Sequence, residues 1–353
     1  MSPEREASEG DQGACRPQDH VFGGQAVMEG VMMRGRHSWA VAVRRPSGSI
    51  ARVAYPLESA GARHRWLKLP VVRGVVSLWE SLSLGVRALG YSANIGLEAV
   101  NNPQVEEEPK GTVSDSIVAE DGVAAGQGSP PKPVSFGWKE LAVTVIVSIA
   151  FAVGLFVVIP LVVVKHFEST FSNPFLFNLV EGLIRIALFL VYILTVSLIP
   201  DLRRVFMYHG AEHKVIHAYE SCGRPDAQEA RRFSTLHPRC GTGFLLLVMV
   251  VAVFVFAIVG KPGLPWLVLS RIIGIPLIIG VSYEIGIKWA GRRPDAWFAR
   301  ILLWPGLQLQ RLTTREPTPD QLEVAAAALE EVMRMDEAEQ RSLAGLVPEA
   351  AEA

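Results

Sequence analysis

The stretch LAVTVIVSIAFAVGLFVVIPLVVV, residues 141–164, decides the fold class because it holds no charged residue. A helix of about 20 apolar residues crosses the hydrocarbon core of a bilayer. Pro160 lies near the end of the stretch, and membrane helices tolerate proline because neighbouring groups satisfy the freed backbone. The sequence therefore predicts a membrane protein whose first span covers these residues.

Three further stretches have the length and composition of membrane helices. They are residues 175–199, which carry Glu181 and Arg185; residues 241–260, which are uncharged; and residues 267–287, which carry Arg271 and Glu284. A mainly α-helical membrane protein is predicted, with four transmembrane helices within residues 136–300. The formal net charge of the chain is −1 at pH 7, so no bulk attraction to nucleic acid is expected.

Basic residues concentrate in one connecting segment, residues 201–240. It holds Arg203, Arg204, Lys214, Arg224, Arg231, Arg232 and Arg239, whereas the two other loops hold Lys165 and Lys261. Cytoplasmic loops carry an excess of Lys and Arg. We therefore expect this segment and both termini to be cytoplasmic, with the loops at 165–174 and 261–266 on the outer side.

The stretch LPVVRGVVSLWESLSLGVRALGYSANIGL, residues 69–97, is mostly apolar but is not predicted to span. Arg73, Glu80 and Arg87 are seven residues apart, so on a helix they form one narrow stripe. A fifth span would also place the two termini on opposite sides of the membrane, whereas the basic residues near the spans predict that both termini are cytoplasmic. An amphipathic helix lying in the cytoplasmic interface or packed against the bundle is favoured, and a re-entrant segment is the alternative.

The segments outside the membrane differ in composition. Residues 1–20 are polar and are predicted to be a disordered tail, and residues 98–135 an acidic flexible linker. Residues 21–68 are predicted to form a small β-rich cytoplasmic unit, since alternating apolar residues flank a Pro-Ser-Gly turn, as in a hairpin. Residues 301–353 are predicted to form a loop followed by an amphipathic helix, with Thr318 as its N-cap.

The predicted C-terminal helix has one apolar face with helical spacing. That face consists of Leu322, Ala325, Leu329 and Val332. Two of its turns offer only alanine, so a surface or docking helix is expected. The preceding PGLQLQRLTTREP, residues 305–317, is either a loop that closes over the cytoplasmic site or a docking strand for the N-terminal hairpin, and the structural role is favoured because it has no titrating partners.

The stretch YHGAEHKVIHAYE, residues 208–220, repeats histidine every four residues at His209, His213 and His217. On a helix each step drifts by only about 40°, and Glu220 falls on the same face. Adjacent histidines have the spacing of two ligands to one metal ion, but His209 and His217 are about 12 Å apart along the axis. The most compact expected set is His213, His217 and Glu220.

A second motif, STLHPRCGTG, brings His237 and Cys240 to the start of the third membrane helix. The histidine stretch follows the second membrane helix, so both motifs flank the 201–240 segment at similar membrane depth. Histidine with glutamate or cysteine is a familiar zinc environment. The predicted ligands to a divalent metal, with zinc as first candidate, are His209, His213, His217, Glu220, His237 and Cys240.

The acid–base residue is not placed as in a zincin. There the motif is His-Glu-x-x-His, but here Lys214 occupies the glutamate position. Glu212 and Glu29, the latter in the glycine-rich GGQAVMEGVMMRG, are the candidate catalytic residues. Glu284 is the best intramembrane candidate to join the site. The competing interpretation is that the histidines only solvate the outer face of an interfacial helix.

Five motifs occur in a fixed order along the chain. They are GGQAVMEGVMMRG, YHGAEHKVIHAYE, HPRCGTGF, VSYEIGIKWAGR and PGLQLQRLTTREPTPDQLEVA. Together they resemble the YqhQ-like family of bacterial membrane proteins, a domain of unknown function. The resemblance runs from about Phe22 to about Met333, without the acidic linker. It implies a multi-pass protein of the bacterial cytoplasmic (inner) membrane and a metal-dependent enzyme, and it names no substrate.

Three functions follow from these patterns. The first is a metal-dependent enzyme, in the broadest sense a hydrolase, acting on a membrane-associated substrate at the cytoplasmic face. The second is a non-enzymatic scaffold or assembly factor, in which the β-rich unit and the C-terminal helix bind protein partners. Transport is weaker, because no pair of broken helices is apparent. The expected partners are therefore the lipid bilayer with a substrate or a protein, and not nucleic acid.

Overall fold

The computed structural model describes residues 22–57, 59, 64–101, 138–166, 173–259, 264–293 and 296–345. The predicted disordered tail and nearly all of the predicted acidic linker lie outside these residues. The described part is mainly helical and contains one small antiparallel sheet, as predicted.

The chain begins with four strands and continues in helices. The strands are β1 (Gly23–Val27), β2 (Gly30–Arg34), β3 (Ser38–Arg44) and β4 (Ile50–Pro56), and a short 3-10 helix covers Arg65–Lys68. The helices are α1 (Val72–Asn101), α2 (Trp138–Val153), α3 (Ile159–His166), α4 (Pro174–Ser197), α5 (Pro200–Cys222), α6 (Ala227–Ala230), α7 (Gly241–Val259), α8 (Leu264–Ser282), α9 (Trp297–Thr313) and α10 (Pro319–Gly345). A π-helical turn, Gly154–Val158, joins α2 to α3, and another, Tyr283–Ala290, extends α8.

The sheet is a meander in the order β1-β2-β3-β4. The predicted hairpin is β3–β4, in which Val41 pairs with Val53. The glycine-rich stretch before it forms a second hairpin, β1–β2, whose two-residue loop holds Glu29 at a φ of 52°. A positive φ is uncommon for a residue other than glycine, so the sequence did not reveal this tight turn.

The two faces of the sheet bury different partners, because successive strand residues point to opposite sides. On one face Met33 and Ala40 pack with α5 and α10. On the other face Met32 and Trp39 pack against Leu84 and neighbouring residues of α1. The sheet is therefore covered by helices on both sides.

Of the two expected placements of α10, a surface helix or a docking helix, the structure shows the second. The helix begins at Pro319 after Thr318, as predicted. Its apolar face is entirely buried in the core with the sheet and α5: Leu322, Ala325, Leu329 and Val332. The turns that offer only alanine favour this burial, because small side chains let the helix approach β3 closely.

Four helices are long and apolar enough to cross a membrane by length and composition. They are Ala142–His166, Pro174–Ser197, Gly241–Val259 and Ile273–Ala290, close to the predicted spans. Many large apolar side chains on them are exposed, such as Ile146 and Ile258, as expected for surfaces that face lipid. Arg185 pairs with Glu181 one turn away on α4, so both charges are satisfied within the span.

The predicted loop at 305–317 is wrong over its first half. Helix α9 runs through Pro305 to Thr313. The Pro-Gly pair is a strong turn signal in sequence. Here it serves a helix crossing, because a Cβ on Gly306 would lie 2.8 Å from the Cα of Gly243 on α7. The two glycines let α7 and α9 meet backbone to backbone.

Three segments that are separated in sequence by membrane helices form one extramembrane unit. It consists of the sheet, the α5–α6 region and α10, which share a single apolar core. Helix α1 covers the other face of the sheet, extends four residues into the predicted linker, and packs by its first turns against α8. No described residue of α1 belongs to a candidate span.

Candidate metal centre

Helix α5 carries the histidine stretch and lies inside the extramembrane unit. Pro200 begins the helix, and Gly223 ends it in a left-handed conformation with a φ of 70°. Every residue from Tyr208 to Ile216 is buried. The competing interpretation of a solvated helix face is therefore wrong. The core of α10 and the sheet covers one side of the helix, and the 233–240 segment contributes contacts to the histidines on the other.

His209, His213 and Cys240 form a cluster that we call the thiolate triad. One ligand atom from each lies within 4.8 Å of the other two, and His209 Nε2 is 3.3 Å from Cys240 Sγ. With metal–ligand bonds of 2.0–2.3 Å, ligand atoms around a tetrahedral zinc ion are separated by about 3.5 Å. The triad therefore has nearly the dimensions of a zinc site, with all three residues at most 9% exposed.

Hydrogen bonds on the outer side of the triad orient both imidazoles. His209 Nδ1 is 2.8 Å from the carbonyl oxygen of Thr313, and His213 Nδ1 contacts that of Thr235. A carbonyl only accepts, so each Nδ1 carries a proton, and in the neutral form of each ring Nε2 keeps its lone pair. This is the tautomer that metal-binding histidines adopt. His213 Nε2 is buried without a hydrogen-bond partner in the described chain.

The sulfur of Cys240 lies in a positive environment. Burial alone raises the pKa of its thiol, but His209 and His213 lower that pKa well below its ordinary value. For His209 the directions are reversed: burial lowers the pKa of the imidazole, but the nearby sulfur of Cys240 raises it, and the resulting pKa is about 9. Thr242 Oγ1 lies 3.1 Å from the sulfur as a further polar contact. The triad therefore favours a thiolate, the form of cysteine that binds metal.

The remaining predicted ligands, His217, Glu220 and His237, form a second cluster, which we call the carboxylate cluster. Most of its groups already have partners, although His237 Nε2 is buried without a hydrogen bond in the described chain. Glu220 forms an ion pair with Arg239, His217 Nε2 is 2.9 Å from the carbonyl oxygen of Leu236, and the backbone N–H of Arg239 donates to His237 Nδ1 over 3.3 Å.

The carboxylate cluster is less suited to a cation than the thiolate triad. Because His237 Nδ1 accepts a hydrogen bond, the neutral ring carries its proton on Nε2, which lies 3.6 Å from Glu220. Burial lowers the pKa of His237 to about 4, although Glu220 opposes this shift. Arg239 already neutralises the carboxylate, so no charge is left to attract a metal ion.

The two clusters adjoin, so all six predicted ligands lie in one region, where His217 and Glu220 are half-buried and the other four are buried. The ring centroids of His213 and His237 are 5.6 Å apart, and those of His217 and His237 4.7 Å. The predicted grouping of His213 with His217 and Glu220 is not observed. His213 turns toward Cys240 instead, because the HPRC segment packs along the histidine face of α5, a long-range contact that helix spacing cannot reveal.

Glu212 lies beside the triad on the side of β1. It is buried, and burial raises its pKa against the opposing effects of His213 and His209. A Cβ on Gly24 would lie 2.8 Å from Glu212 Cγ, so the strand glycine makes room for this side chain. The sequence placed Glu212 and the glycine-rich stretch in separate motifs, and the structure shows that they touch.

Two other predicted participants lie elsewhere. Glu29 forms an ion pair with Arg204 and accepts from Tyr208 Oη over 3.2 Å. On a helix, Arg204 and Tyr208 project about 140–180° away from the centre of the histidine face, which argues against the predicted acid–base role of Glu29. Glu284 pairs with Arg73 of α1, so it links α1 to the π-helical turn and does not join the histidines.

Sequence reasoning missed the residue that holds the HPRC segment in place. Gln310 of α9 accepts from the backbone N–H of His237 and donates to its carbonyl oxygen, both over 2.8 Å. Its signal was present in the PGLQLQRLTT motif, but that motif was interpreted as a loop without chemistry. A cavity of about 20 Å³, the size of one water molecule, lies beside Gln310 and Cys240.

Cys222 is the last residue of α5 and is disulfide-bonded. Cys240 is therefore the free thiol among the described cysteines, and the one available as a ligand.

Four apolar helices and a buried histidine–cysteine core define a membrane protein with a candidate metal centre. The chain belongs to the family described as "Protein of unknown function (DUF1385)", whose model matches residues 69–335. It is 32% identical over 317 residues to "Uncharacterized protein YqhQ" of Bacillus subtilis (strain 168), an alignment covering 90% of this chain and 93% of that protein. No solved structure matches the chain. The resemblance found in the five motifs is confirmed.

Proposed function

We propose that this protein is a metal-dependent enzyme of the bacterial cytoplasmic membrane, with one zinc ion bound by His209, His213 and Cys240. The observation that carries the proposal is the unpartnered Nε2 of His213, buried within 4.8 Å of a cysteine sulfur and a second imidazole. A thiolate with two imidazoles favours zinc over magnesium or calcium, which prefer oxygen ligands.

Three protein ligands leave one coordination position open, as in catalytic rather than structural zinc sites. An ion there would activate a water molecule or polarise a substrate. Glu212 supports this role by position, because its buried carboxylate interacts electrostatically with all three triad residues. Hydrolysis of a membrane-associated substrate is the reaction class that these groups support best.

The arrangement of the chain supports a cytoplasmic site. Segments before the first span, between the second and third, and after the fourth share one core, which requires them to be on one side of the membrane. The basic residues of the 201–240 segment favour the cytoplasmic side.

The second candidate function is a membrane scaffold in which the metal is structural. It is favoured by the burial of the triad, since His213 is 1% exposed and Cys240 9%. A closed zinc site stabilises a fold rather than a reaction. Here it would hold α5 against the start of α7.

The first experiment is elemental analysis of the untagged protein, purified in mild detergent. We expect about one equivalent of zinc per chain, because one triad fits one ion. His213→Ala and Cys240→Ser should lose it. His217→Ala is the matched control, since it removes a histidine of the carboxylate cluster, and should keep the metal. Retention by His213→Ala with loss in His217→Ala would move the site to the carboxylate cluster, and no zinc in the wild type after reconstitution would end the proposal.

A second experiment separates enzyme from scaffold. Zinc-loaded protein would be screened against ester, amide and phosphate substrates, alongside Glu212→Gln. The enzyme proposal expects turnover in the wild type and a loss of about 100-fold or more in the variant with its zinc retained, the contribution usual for a general base. Zinc binding without turnover of any substrate class would favour the scaffold.

A further inference from the structure

A second, larger cavity lies on the other side of the extramembrane unit. Its volume is about 700 Å³, within the range of ligand sites. It is bounded by the β1–β2 loop, the β3–β4 loop, the last turns of α1 and the first turns of α5. Apolar side chains form much of its wall, including Val43, Ile95 and Leu97.

Three arginines line the same cavity: Arg44, Arg45 and Arg204. Glu29, the acidic residue of the lining, is paired with Arg204. Arg44 donates to Glu323 over 3.0 Å and to the carbonyl oxygens of Gly48 and Asp320 over 2.7 Å, yet its Nε is buried and has no hydrogen-bond partner in the described chain. Within the described residues the side chain of Arg45 forms no hydrogen bond or ion pair. The cavity thus has excess positive charge and an unsatisfied donor.

The surroundings of the cavity indicate where a ligand would come from. Helix α1 exposes one apolar stripe, and on a helix its members fall within about 100° of the circumference. The stripe consists of Leu78, Trp79, Leu82, Val86, Leu89 and Leu97. The opposite face, with Leu84 and Ala88, is buried against the sheet. A helix with such a stripe suits the lipid–water interface.

The cavity is also close in sequence to a membrane helix. Arg204 lies in the second turn of α5, which begins at Pro200, just after the candidate span Pro174–Ser197. Leu97 belongs both to the exposed stripe and to the cavity wall. The apolar wall is therefore continuous with the surface that suits lipid.

We propose that this cavity binds an anionic phospholipid from the surrounding membrane. The phosphate would be held by Arg44 and Arg45, since guanidinium groups bind phosphate through paired, charge-assisted hydrogen bonds. An acyl chain would lie along Ile95 and Leu97. Neither arginine belongs to the thiolate triad, so the proposed lipid site does not depend on whether the triad binds a metal ion.

The test is lipid retention, measured by native mass spectrometry on protein extracted from nanodiscs of equal parts phosphatidylglycerol and phosphatidylcholine. The wild type should retain one phosphatidylglycerol in preference to phosphatidylcholine. Arg45→Gln should weaken retention about 10-fold or more, the effect of one hydrogen bond to a charged group. Arg203→Gln, next to the cavity arginine but exposed and outside the lining, should leave retention unchanged.

A second variant fills the cavity without touching an arginine. A Cβ on Gly96 would meet no atom within 4 Å, and leucine is a better helix former than glycine. Gly96→Leu should therefore fold and displace the acyl chain, so that retention of phosphatidylglycerol falls by a similar factor.

Three outcomes would overturn the proposal. The first is equal retention of phosphatidylglycerol by the wild type, Arg45→Gln and Gly96→Leu. The second is displacement of the lipid by excess inorganic phosphate, which would indicate a site for a free anion. The third is displacement by a peptide of residues 102–121, the acidic segment that follows α1, which would make the chain itself the occupant.

Discussion

At the scale of single residues, Asp336 shows how one carboxylate joins the two ends of the chain. Its side chain lies on α10 and accepts hydrogen bonds from the backbone N–H of Arg36 and His37 and from Ser38 Oγ, over 2.7–3.1 Å. All three donors belong to the β2–β3 turn or the start of β3. A Cβ on Gly35 would lie 2.9 Å from the Asp336 carboxyl carbon, which explains the glycine in that turn.

Asp336→Ala leaves three donors without their acceptor in a buried place. We expect the free energy of unfolding of the extramembrane unit to fall by about 3 kcal/mol, since hydrogen bonds to a charged group contribute about 1.5–3 kcal/mol each and solvent recovers part of the loss. Glu337→Ala, one residue further at a largely exposed side chain, should change it by less than about 0.5 kcal/mol. Equal urea midpoints for the two variants would contradict this role of Asp336.

The sequence identified all six residues of the two clusters but not how they divide. Helix geometry places His213 midway between His209 and His217 and cannot say which neighbour it joins. The position of Cys240 determines that His213 groups with His209. That position depends on Gln310, 70 residues further along the chain, which holds the HPRC segment through the backbone of His237. Long-range contacts of this kind leave no local signature.

At the scale of secondary-structure elements, α10 contributes a full face to the core. Leu329 is completely buried against the sheet and α5. The amphipathic pattern predicted the helix and its first residue correctly, because N-terminal Pro and apolar spacing are local signals. The depth of burial depends on the alanines, whose small size is informative only when the facing strand is known.

Leu329→Ala should lower the free energy of unfolding by about 2–5 kcal/mol, the range for leucine truncation in a packed core. Thermal or urea unfolding followed by far-UV circular dichroism would measure it. Arg334→Ala, on the exposed side of the same helix, serves as control and should shift stability by less than about 0.5 kcal/mol. A small effect of Leu329→Ala would show that α10 is not part of the core.

The crossing of α7 and α9 gives a matched test of a close contact between two helices. Gly306→Ala forces the two backbones apart, since the added Cβ would lie 2.8 Å from Gly243 Cα. We expect a melting temperature in detergent lower by several degrees, corresponding to about 1–3 kcal/mol for overpacking. Gly154→Ala, where a Cβ meets no atom within 4 Å, should have no such effect; a similar fall in both variants would indicate a general loss of glycine flexibility instead.

At the scale of the whole molecule, the spans and the β3–β4 hairpin could be predicted because length, hydropathy and alternation are local properties. The assembly of the extramembrane unit could not. Ser38 and Asp336 are 298 residues apart in sequence and form a hydrogen bond of 2.7 Å. An even number of spans returns the chain to the side on which it began. This was the one feature of the sequence indicating that the segments of Ser38 and Asp336 lie on the same side of the membrane.

The orientation of that unit can be tested directly. A green fluorescent protein fused after Gly345 becomes fluorescent in the bacterial cytoplasm, and an alkaline phosphatase fused there becomes active only outside it. The basic 201–240 segment predicts fluorescence and no phosphatase activity. The reverse pattern would place the unit on the outer side.

The shared core of the strands, α5 and α10 also sets an order of events during synthesis. Chains generally fold from the N-terminus as they emerge from the ribosome, but here one face of the sheet has no cover until α10, the last described helix, has been made. By then all four spans have left the ribosome. The extramembrane unit can therefore complete its core only after all four spans have been synthesised. A chain halted before its last helix would leave one sheet face uncovered and accessible to chaperones and proteases.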